Sequence, residues 1–268
     1  MADPRTRADL TADLRGLGLT AGDAVFAHGA LRSVGPLIDG PDTLVGALLD
    51  AVSPGGTVLA YTDWQAPYTD LLDDDGRLAE RWRPHVPGFD AATSHAIRDN
   101  GALPEFLRQW PGARRSGSPG ASVAALGDRA EWFTADHPVD YGYGPGSPLA
   151  RLVEAGGTVA MIGAPWDTMT LLHHAEHLAD LPGKRIVRSD VPFATPDGIL
   201  WRTVEEFDTS DPIVDGFDDD YFGTVVGDFV AAGNGRTGRV GDADSLVVDA
   251  RAMCAFAVRW MEERAGRP

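Results

Sequence analysis

The order of apolar and polar positions predicts short strands that alternate with helices. The apolar run GDAVFAHGA over 22–30 is typical of a buried strand, and GTVLAY over 56–61 predicts a second strand. Between them, PDTLVGALLDAV over 41–52 begins with Pro and spaces its apolar residues three and four apart, which predicts a helix. A strand, a helix and a strand at such short intervals predict an α/β fold with parallel strand pairing.

The remainder of the chain continues this alternation. A strand is expected over 157–163, and the stretch that begins at Lys184 predicts a hairpin that turns at Pro196, Asp197 and Gly198. Strands are also expected around TGRVG and DSLVVD, before a closing helix in ARAMCAFAVRWMEER. Further helices are predicted over 4–17, 147–156, about 168–180 and 218–233. Because we find no internal repeat and no linker, we expect residues 1–268 to form one domain.

The segment 62–101 differs from the rest of the chain. It contains turns, many carboxylates and several aromatic side chains, and it lacks a long periodic stretch. A loop of this length in a compact domain is usually functional or disordered. Its aromatic residues Trp64, Tyr68, Trp82 and Phe89 argue against disorder, so we expect a structured lid that forms the wall of a pocket.

Net charge narrows the range of partners. Forty acidic and 23 basic residues give a formal charge of −17 and a pI near 4.6. Such a surface repels nucleic acid and anionic membranes and attracts cations. Solubility alone would explain the same charge equally well, so composition leaves both interpretations open.

Bulk features also favour a protein of the cytoplasm. No run of eighteen apolar residues is present, so no membrane span is expected, and the first residues lack the apolar core of an export signal. The single Cys254 lies in an apolar helical pattern and cannot form an internal disulfide. We therefore expect a cytoplasmic monomer or homodimer.

The stretch MTLLHHAEHLADLPGKR from Met169 to Arg185 carries the richest chemistry. Helical spacing places Thr170, His173, His174 and His177 in one band, with Glu176 one turn after His173. Leu171, Leu172, Ala175, Leu178 and Leu181 are expected to supply its apolar contacts. The band has two interpretations, a site of chemistry or an ordinary helix face.

A metal site is the weaker form of the first interpretation. His173 and His177 have the spacing of a helical zinc pair, but the residues between them do not match a zinc peptidase and no Cys cluster completes a site, so no metal is expected. His174 and His177 are expected to be partly exposed helix residues. His173 follows a strand end, where ligands bind in α/β sheets, and could be either a general base or an ordinary helix residue.

Four segments together resemble one known family. They are RSVGPLIDGPDTLVGALLDAVSPGGTVLAYTDW, ARRSGSPGASVAALG, SPLARLVEAGGTVAMIGAP and TLLHHAEHLADLPGKR. Over about residues 8 to 262 they resemble the aminoglycoside 3-N-acetyltransferases, of the antibiotic N-acetyltransferase family. The resemblance implies an α/β/α layered domain with a mixed, largely parallel central sheet. It also implies transfer of acetyl from acetyl-coenzyme A to the 3-amino group of a deoxystreptamine ring in an aminoglycoside.

The resemblance also assigns residues to roles. His173 matches the helix histidine of the family, Glu176 its partner and Thr170 a threonine one turn upstream, so these three are the expected catalytic residues. The residues expected to face the coenzyme are Arg32, Ser33, Val34, Gly35 and Ser118. Those expected to face the aminoglycoside are Asp63, Tyr68, Glu206 and Asp208. The acidic residues Asp70 and Asp90 are expected to be solvated at the surface.

Two positions depart from the family pattern. Ala30 stands where a hydroxyl residue is common, two places after the first-strand residue His28, and Ser118 stands where the family has a histidine. These departures leave two alternatives open. The chain could acylate another amine in a biosynthetic pathway, or it could bind aminoglycosides without catalysis.

Overall fold

The computed structural model describes residues 3–209 and 212–265, which form a seven-stranded sheet and a separate two-stranded hairpin. The strands of the sheet and of the hairpin are β1 (Ala24–Gly29), β2 (Thr57–Tyr61), β3 (Arg114–Arg115), β4 (Val123–Gly127), β5 (Thr158–Ile162), β6 (Ile186–Thr195), β7 (Gly198–Phe207), β8 (Arg236–Val240) and β9 (Ala243–Asp249). The sheet order is β3-β4-β2-β1-β5-β9-β8, and β6 pairs with β7 in the hairpin predicted from the sequence.

The helices lie on both faces of the sheet. They are α1 (Arg7–Gly16), α2 (Leu31–Val34), α3 (Pro41–Val52), α4 (Leu103–Gln109), α5 (Ala130–Thr134), α6 (Pro148–Glu154), α7 (Leu171–Leu178), α8 (Tyr221–Ala231) and α9 (Ala250–Ala265). One core packs α1, α3 and α4 against the sheet, and a second core packs α5 to α9 against its other face. The predicted α/β/α layering is confirmed. None of the helices within the described ranges is long and apolar enough to cross a membrane.

Local chemistry accounts for several helix starts. Thr6 and Asp9 form a reciprocal capping box at the start of α1, and Pro41 begins α3. Ser147 accepts a hydrogen bond from the backbone N–H of Ala150 and so caps α6. The predicted histidine helix over about 168–180 is shorter in the structure, because a 3₁₀ turn over Trp166–Thr168 precedes α7.

Strand pairing in the sheet is mixed. The central strand β1 pairs in parallel with β2 on one side and with β5 on the other, whereas the outer pairs β2–β4, β3–β4, β5–β9 and β8–β9 are antiparallel. The mixed sheet is confirmed, with its parallel part confined to three adjacent central strands. These strands therefore end at one edge, where the first residues of several loops converge.

The segment 62–101 is ordered in the structure, and we keep the name lid for these residues. It contains short 3₁₀ turns and a small apolar cluster of Tyr68, Leu78 and Val86. A bridge between Phe89 and Phe193 joins it to the hairpin, and Arg83 bonds to the carboxylate of Asp190 at 2.5 Å. The lid and the hairpin therefore form one wall beside the carboxyl edge of the central strands.

Candidate active site

The candidate site lies where β1, β2 and β5 end. His28 is near the end of β1, Tyr61 is the last residue of β2, and the loop after β5 leads directly into α7. The register pairs His28 with Met161 of β5, and the parallel pairing with β2 carries Tyr61 to the same edge. This edge therefore brings together side chains from three separate parts of the sequence.

His173 and Glu176 form the hydrogen-bonded pair expected from their spacing. Nδ1 of His173 lies 2.7 Å from Oε2 of Glu176, whose carboxylate is only 2% exposed. The hydroxyl of Tyr221 donates to the other oxygen of Glu176. With Nδ1 donating to the carboxylate, Nε2 of His173 keeps the lone pair that accepts a proton.

The ring of His173 is held between two aromatic rings. The centroids of Tyr143 and Phe222 each lie 4.9 Å from the centroid of the His173 ring. The side chain remains 23% exposed, on the side that lines a cavity. Tyr143, Phe222 and Tyr221 were not among the sequence-predicted site residues, because no spacing rule connects them to α7.

An acidic cavity of about 440 Å³ opens beside His173. It is lined by His173, Glu176, Asp167, Asp219 and Asp220, together with neighbouring aromatic and loop residues. The sequence analysis missed the three aspartates, although the run DDD over 218–220 is a visible signal of concentrated negative charge. The cavity can hold a group that carries several positive charges.

A second cavity of about 310 Å³ lies beneath the β6–β7 hairpin, and we call it the hairpin cavity. Glu206, Asp208, Ser118 and Tyr143 line it, and Thr209 lines both this and the acidic cavity. The structure therefore brings together the predicted acceptor residues Glu206 and Asp208. Ser118, which was expected to face the coenzyme, lies on this side as well. Asp208 is also 3.5 Å from Nε of Arg185.

Two of the three helix histidines were wrongly expected to be partly exposed. His174 is 3% exposed, with Nδ1 2.7 Å from the backbone oxygen of Tyr143. The side chain of His177 is 2% exposed, with Nε2 2.8 Å from Oε1 of Glu206. Neighbouring segments cover this face of α7 and provide polar partners, which spacing along one helix cannot reveal. Leu178, expected to pack inward, is instead 48% exposed.

Of the residues expected to face the coenzyme, Arg32 lines a larger cavity of about 690 Å³, which we call the Arg32 cavity, and Ser33 does not line it. Arg32 lines it together with Arg98 and His95 of the lid, two cationic or titratable residues that the sequence analysis did not select. Val34 and Gly35 do not line this cavity; Val34 is fully buried, and Gly35 has a φ of 94°. A Cβ on Gly35 would lie 2.4 Å from Oδ2 of Asp242, which explains the glycine.

A narrow cavity of about 170 Å³ extends the Arg32 cavity towards α7, and we call it the His28 cavity. His28, Ala30, Tyr61 and Thr170 line it, and it shares Gly29, Ala30 and Gly101 with the Arg32 cavity. Burial lowers the pKa of His28 to about 4, so this ring is neutral at pH 7.

The two sides of the site meet at a pair of tyrosines. The hydroxyl of Tyr61, which lines the His28 cavity, contacts the hydroxyl of Tyr143, which lines the hairpin cavity. Tyr143 also packs on His173. The His28 cavity and the hairpin cavity therefore adjoin within a few side chains of the His173 imidazole.

Two predicted acceptor-facing residues lie elsewhere. Asp63 accepts a hydrogen bond from Asn100 at 2.6 Å, and burial raises its pKa to about 7. Tyr68 donates its hydroxyl to the backbone oxygen of Asp190 at 3.1 Å and lines a cavity within the lid. Neither residue lines the acidic or the hairpin cavity. Asp70 and Asp90 are exposed, as expected.

The sequence analysis also missed a buried histidine that supports this region. Nδ1 of His137 lies 2.8 Å from Oγ of Ser116, and Nε2 lies 2.7 Å from the backbone oxygen of Gly142. Burial lowers the pKa of His137 to about 4. The neutral ring fixes the segment that carries Tyr143, next to α7.

Comparison with known proteins decides the family. The family model of the aminoglycoside 3-N-acetyltransferases matches residues 26–262. The chain belongs to this family. It is 44% identical to aminoglycoside N(3)-acetyltransferase III of Pseudomonas aeruginosa over 98% of this chain and 96% of that protein. The predicted class of enzyme, an aminoglycoside N(3)-acetyltransferase, is confirmed.

Solved structures of the family agree with the fold. A binary structure of AAC-IIIb with CoASH matches with a TM-score of 0.98 and 64% identity, and it covers 99% of both chains. A structure of AAC-VIa bound to sisomicin matches with a TM-score of 0.93 and 37% identity, covering 99% of this chain and all of that one. The predicted α/β fold class is confirmed.

Proposed function

We propose that this protein transfers acetyl from acetyl-coenzyme A to the 3-amino group of the deoxystreptamine ring of aminoglycosides. Transfer is direct, and His173 acts as the general base. The observation that carries this proposal is that the His173–Glu176 pair lines the acidic cavity, while Thr170, one turn before His173, lines the His28 cavity that continues to Arg32. We place the reaction in the cytoplasm, where acetyl-coenzyme A is available.

The proposed base solves a protonation problem. An aminoglycoside amine is largely protonated at neutral pH and must lose a proton before it can attack a thioester. Nε2 of His173 accepts that proton, the amine nitrogen forms a bond to the acetyl carbon, and the carbon–sulfur bond breaks. The nitrogen gives its second proton to the departing thiolate, and His173 releases its own proton to solvent, so the products are the neutral amide and free coenzyme A. General-base assistance of this kind is worth roughly 10²–10⁴ in rate.

Glu176 keeps the base in its productive orientation. Its buried carboxylate accepts hydrogen bonds from His173 on one oxygen and from Tyr221 on the other. Because both oxygens have donors, the carboxylate holds one position and stabilises the positive charge that forms on His173.

The acceptor is proposed to bind in the acidic and hairpin cavities. Asp167, Asp219 and Asp220 surround His173 with negative charge, and Glu206 and Asp208 continue the wall beneath the hairpin. Sisomicin, bound to the related AAC-VIa, supports an acceptor of this class. The net charge of −17 also draws a polycation towards the protein, an effect that salt weakens.

Acetyl-coenzyme A is proposed to enter through the Arg32 cavity. Arg32 and Arg98 supply positive charge for its phosphates, and the His28 cavity leads the thioester towards Thr170. Thr170 precedes α7 as its N-cap residue and makes no side-chain capping bond, so its hydroxyl can donate to the carbonyl oxygen as charge develops there. The structure of a relative with CoASH supports this co-substrate.

A covalent acetyl-enzyme on cysteine is not part of the proposal. Cys254 is buried in α9, and burial raises the pKa of its thiol to about 11, so it is an inactive nucleophile at neutral pH. In the described part of the chain, no cluster of three or more His, Cys, Asp or Glu side chains could hold a metal ion.

Release of free thiol from acetyl-coenzyme A, with gentamicin-, kanamycin- and apramycin-type acceptors, tests the proposal. We expect thiol release that depends on the acceptor, with the product acetylated at the 3-amino group. Turnover only with unrelated amines would favour a biosynthetic acylation instead. Tight aminoglycoside binding without thiol release would favour a binding protein and contradict the proposed function.

A further inference from the structure

We propose that the buried imidazole of His177 and the partly exposed carboxylate of Glu206 form an ion pair, in which both ring nitrogens of His177 carry protons. We propose further that this pair determines how the hairpin is placed for acceptor binding. This role rests on the proposed function, because the hairpin forms one wall of the proposed acceptor site. His177 is then a positioning residue that acts through Glu206 and through the backbone of His173.

The hydrogen bonds of the ring define its protons. Nδ1 of His177 lies 2.8 Å from the backbone oxygen of His173, and Nε2 lies 2.8 Å from Oε1 of Glu206. A carbonyl oxygen can only accept, so Nδ1 must carry a proton. A neutral imidazole has one N–H, so Nε2 would then need a donor, and Glu206 could provide one only as a protonated acid.

Glu206 is bonded as an acceptor on both of its oxygens. Oε2 accepts from the backbone N–H of Gly142 at 2.6 Å, and Oε1 accepts from the N–H of Phe207 at 2.8 Å. Two backbone N–H groups and the His177 ring thus converge on the two oxygens. This crowding of donors favours an ionised carboxylate, because the hydroxyl oxygen of a protonated acid is the weaker acceptor. The second proton therefore belongs to Nε2 of His177, and the contact is a charge-assisted hydrogen bond.

Aromatic rings surround the imidazole of His177, and Glu206 is the carboxylate that bonds to it. The rings of Phe207, Tyr143 and Tyr141 pack around the imidazole with centroid distances of 4.8, 6.0 and 6.3 Å. On its own helix His177 has the neighbours His173 and His174, and Lys184 donates to the backbone oxygen of His177 while lying over Phe207. Such a buried cation requires a partner charge.

The pair connects the catalytic helix to the acceptor wall. Nδ1 of His177 bonds to the backbone of His173, and Nε2 bonds to Glu206 near the end of β7, where Glu206 lines the hairpin cavity. Glu206 therefore contributes less negative charge to the cavity than its carboxylate alone would suggest. Its main contribution is to fix the distance between the hairpin and the base.

Nitrogen NMR of the histidine rings tests the protonation state directly and needs no turnover. With ¹⁵N-labelled histidine at about pH 7, we expect both ring nitrogens of His177 to give the signals of an imidazolium. The resonance is assigned by its absence from His177→Gln or, if that chain does not fold, by its shift in Glu206→Gln. In Glu206→Gln the ring should become neutral, because the amide can donate to Nε2. A neutral ring in the parent protein would overturn the proposal.

Kinetics with sisomicin test the positioning role. We expect Glu206→Gln to raise the KM for sisomicin by about tenfold, which corresponds to one charge-assisted hydrogen bond, and to leave the KM for acetyl-coenzyme A unchanged. Glu205→Gln is the matched control, since the adjacent carboxylate bonds to Tyr141 and Arg188 instead. An unchanged KM for sisomicin in Glu206→Gln would contradict the positioning role of the pair. Absence of turnover in the parent protein would instead refute the proposed function, and the NMR result would still stand.

Discussion

Replacing Tyr221 by Phe removes one hydroxyl from the support of the base. That hydroxyl donates to Oε1 of Glu176, and burial together with Glu176 raises the pKa of Tyr221, so the phenol stays a neutral donor. The ring itself is held by Phe217 and Phe222, at centroid distances of 4.9 and 4.8 Å, and by Trp260. The substitution should therefore remove the hydrogen bond and keep the packing.

The magnitude follows from the kind of bond that is lost. A hydrogen bond to a charged group contributes about 1.5–3 kcal/mol, which corresponds to about tenfold to a hundredfold in rate if the whole effect is felt in the transition state. Glu176 would keep its bond to His173 but lose the donor that fixes its other oxygen. Because Glu176 borders the acidic cavity, water can reach the released oxygen, so the protein should still fold.

Steady-state thiol release with sisomicin and acetyl-coenzyme A measures this effect. We expect kcat to fall by about ten- to a hundredfold with both KM values within about twofold of the parent values. Thr134→Val, which removes a buried hydroxyl that bonds to Ala130 far from the site, is the control and should leave kcat unchanged. An unchanged kcat in Tyr221→Phe would refute the argument that Tyr221 supports the base through Glu176.

Three further outcomes are expected. Burial raises the pKa of Asp63 from 3.8 to about 7, so ionisation of its carboxylate destabilises the fold as pH rises through this interval. In urea unfolding, Asp63→Asn should therefore add about 2–4 kcal/mol to the free energy of unfolding at about pH 8 and little at about pH 4. Burial lowers the pKa of His137 from 6.5 to about 4, so the free energy of unfolding of the parent should fall by up to about 3 kcal/mol as pH falls through this interval. The same fall in His137→Gln would contradict His137 as its cause. Arg32→Gln should raise the KM for acetyl-coenzyme A about two- to fivefold, with sisomicin kinetics as the control, because an exposed ion pair contributes little.

The local pattern was sufficient to predict most of the fold. Apolar runs and spacing predicted the strands of the sheet centre, the hairpin and the long helices, because one buried face imposes a regular period on each element. Pairing direction is less accessible from one sequence. The antiparallel placement of β4 and β9 depends on the path that the long connections take across the sheet. The spacing of residues within one element does not predict that path.

In the candidate site as well, local contacts were predictable from the sequence and contacts between distant segments were not. His173 and Glu176 were found because they lie one turn apart on one helix, so their contact is local. Tyr221 reaches Glu176 from a different helix, and His177 reaches Glu206 from across the hairpin, so neither contact leaves a signal in neighbouring positions. The sequence-based expectation of a monomer or homodimer stays a prediction.

The turnover of His173→Ala with sisomicin and acetyl-coenzyme A tests most directly whether this imidazole is the general base. Sisomicin binding to the same variant is measured by calorimetry, so that a loss of catalysis is separated from a loss of affinity. We expect kcat to fall roughly 10²–10⁴-fold while the Kd for sisomicin changes only a few-fold. A variant that turns over within about twofold of the parent would contradict the assignment of His173 as the base.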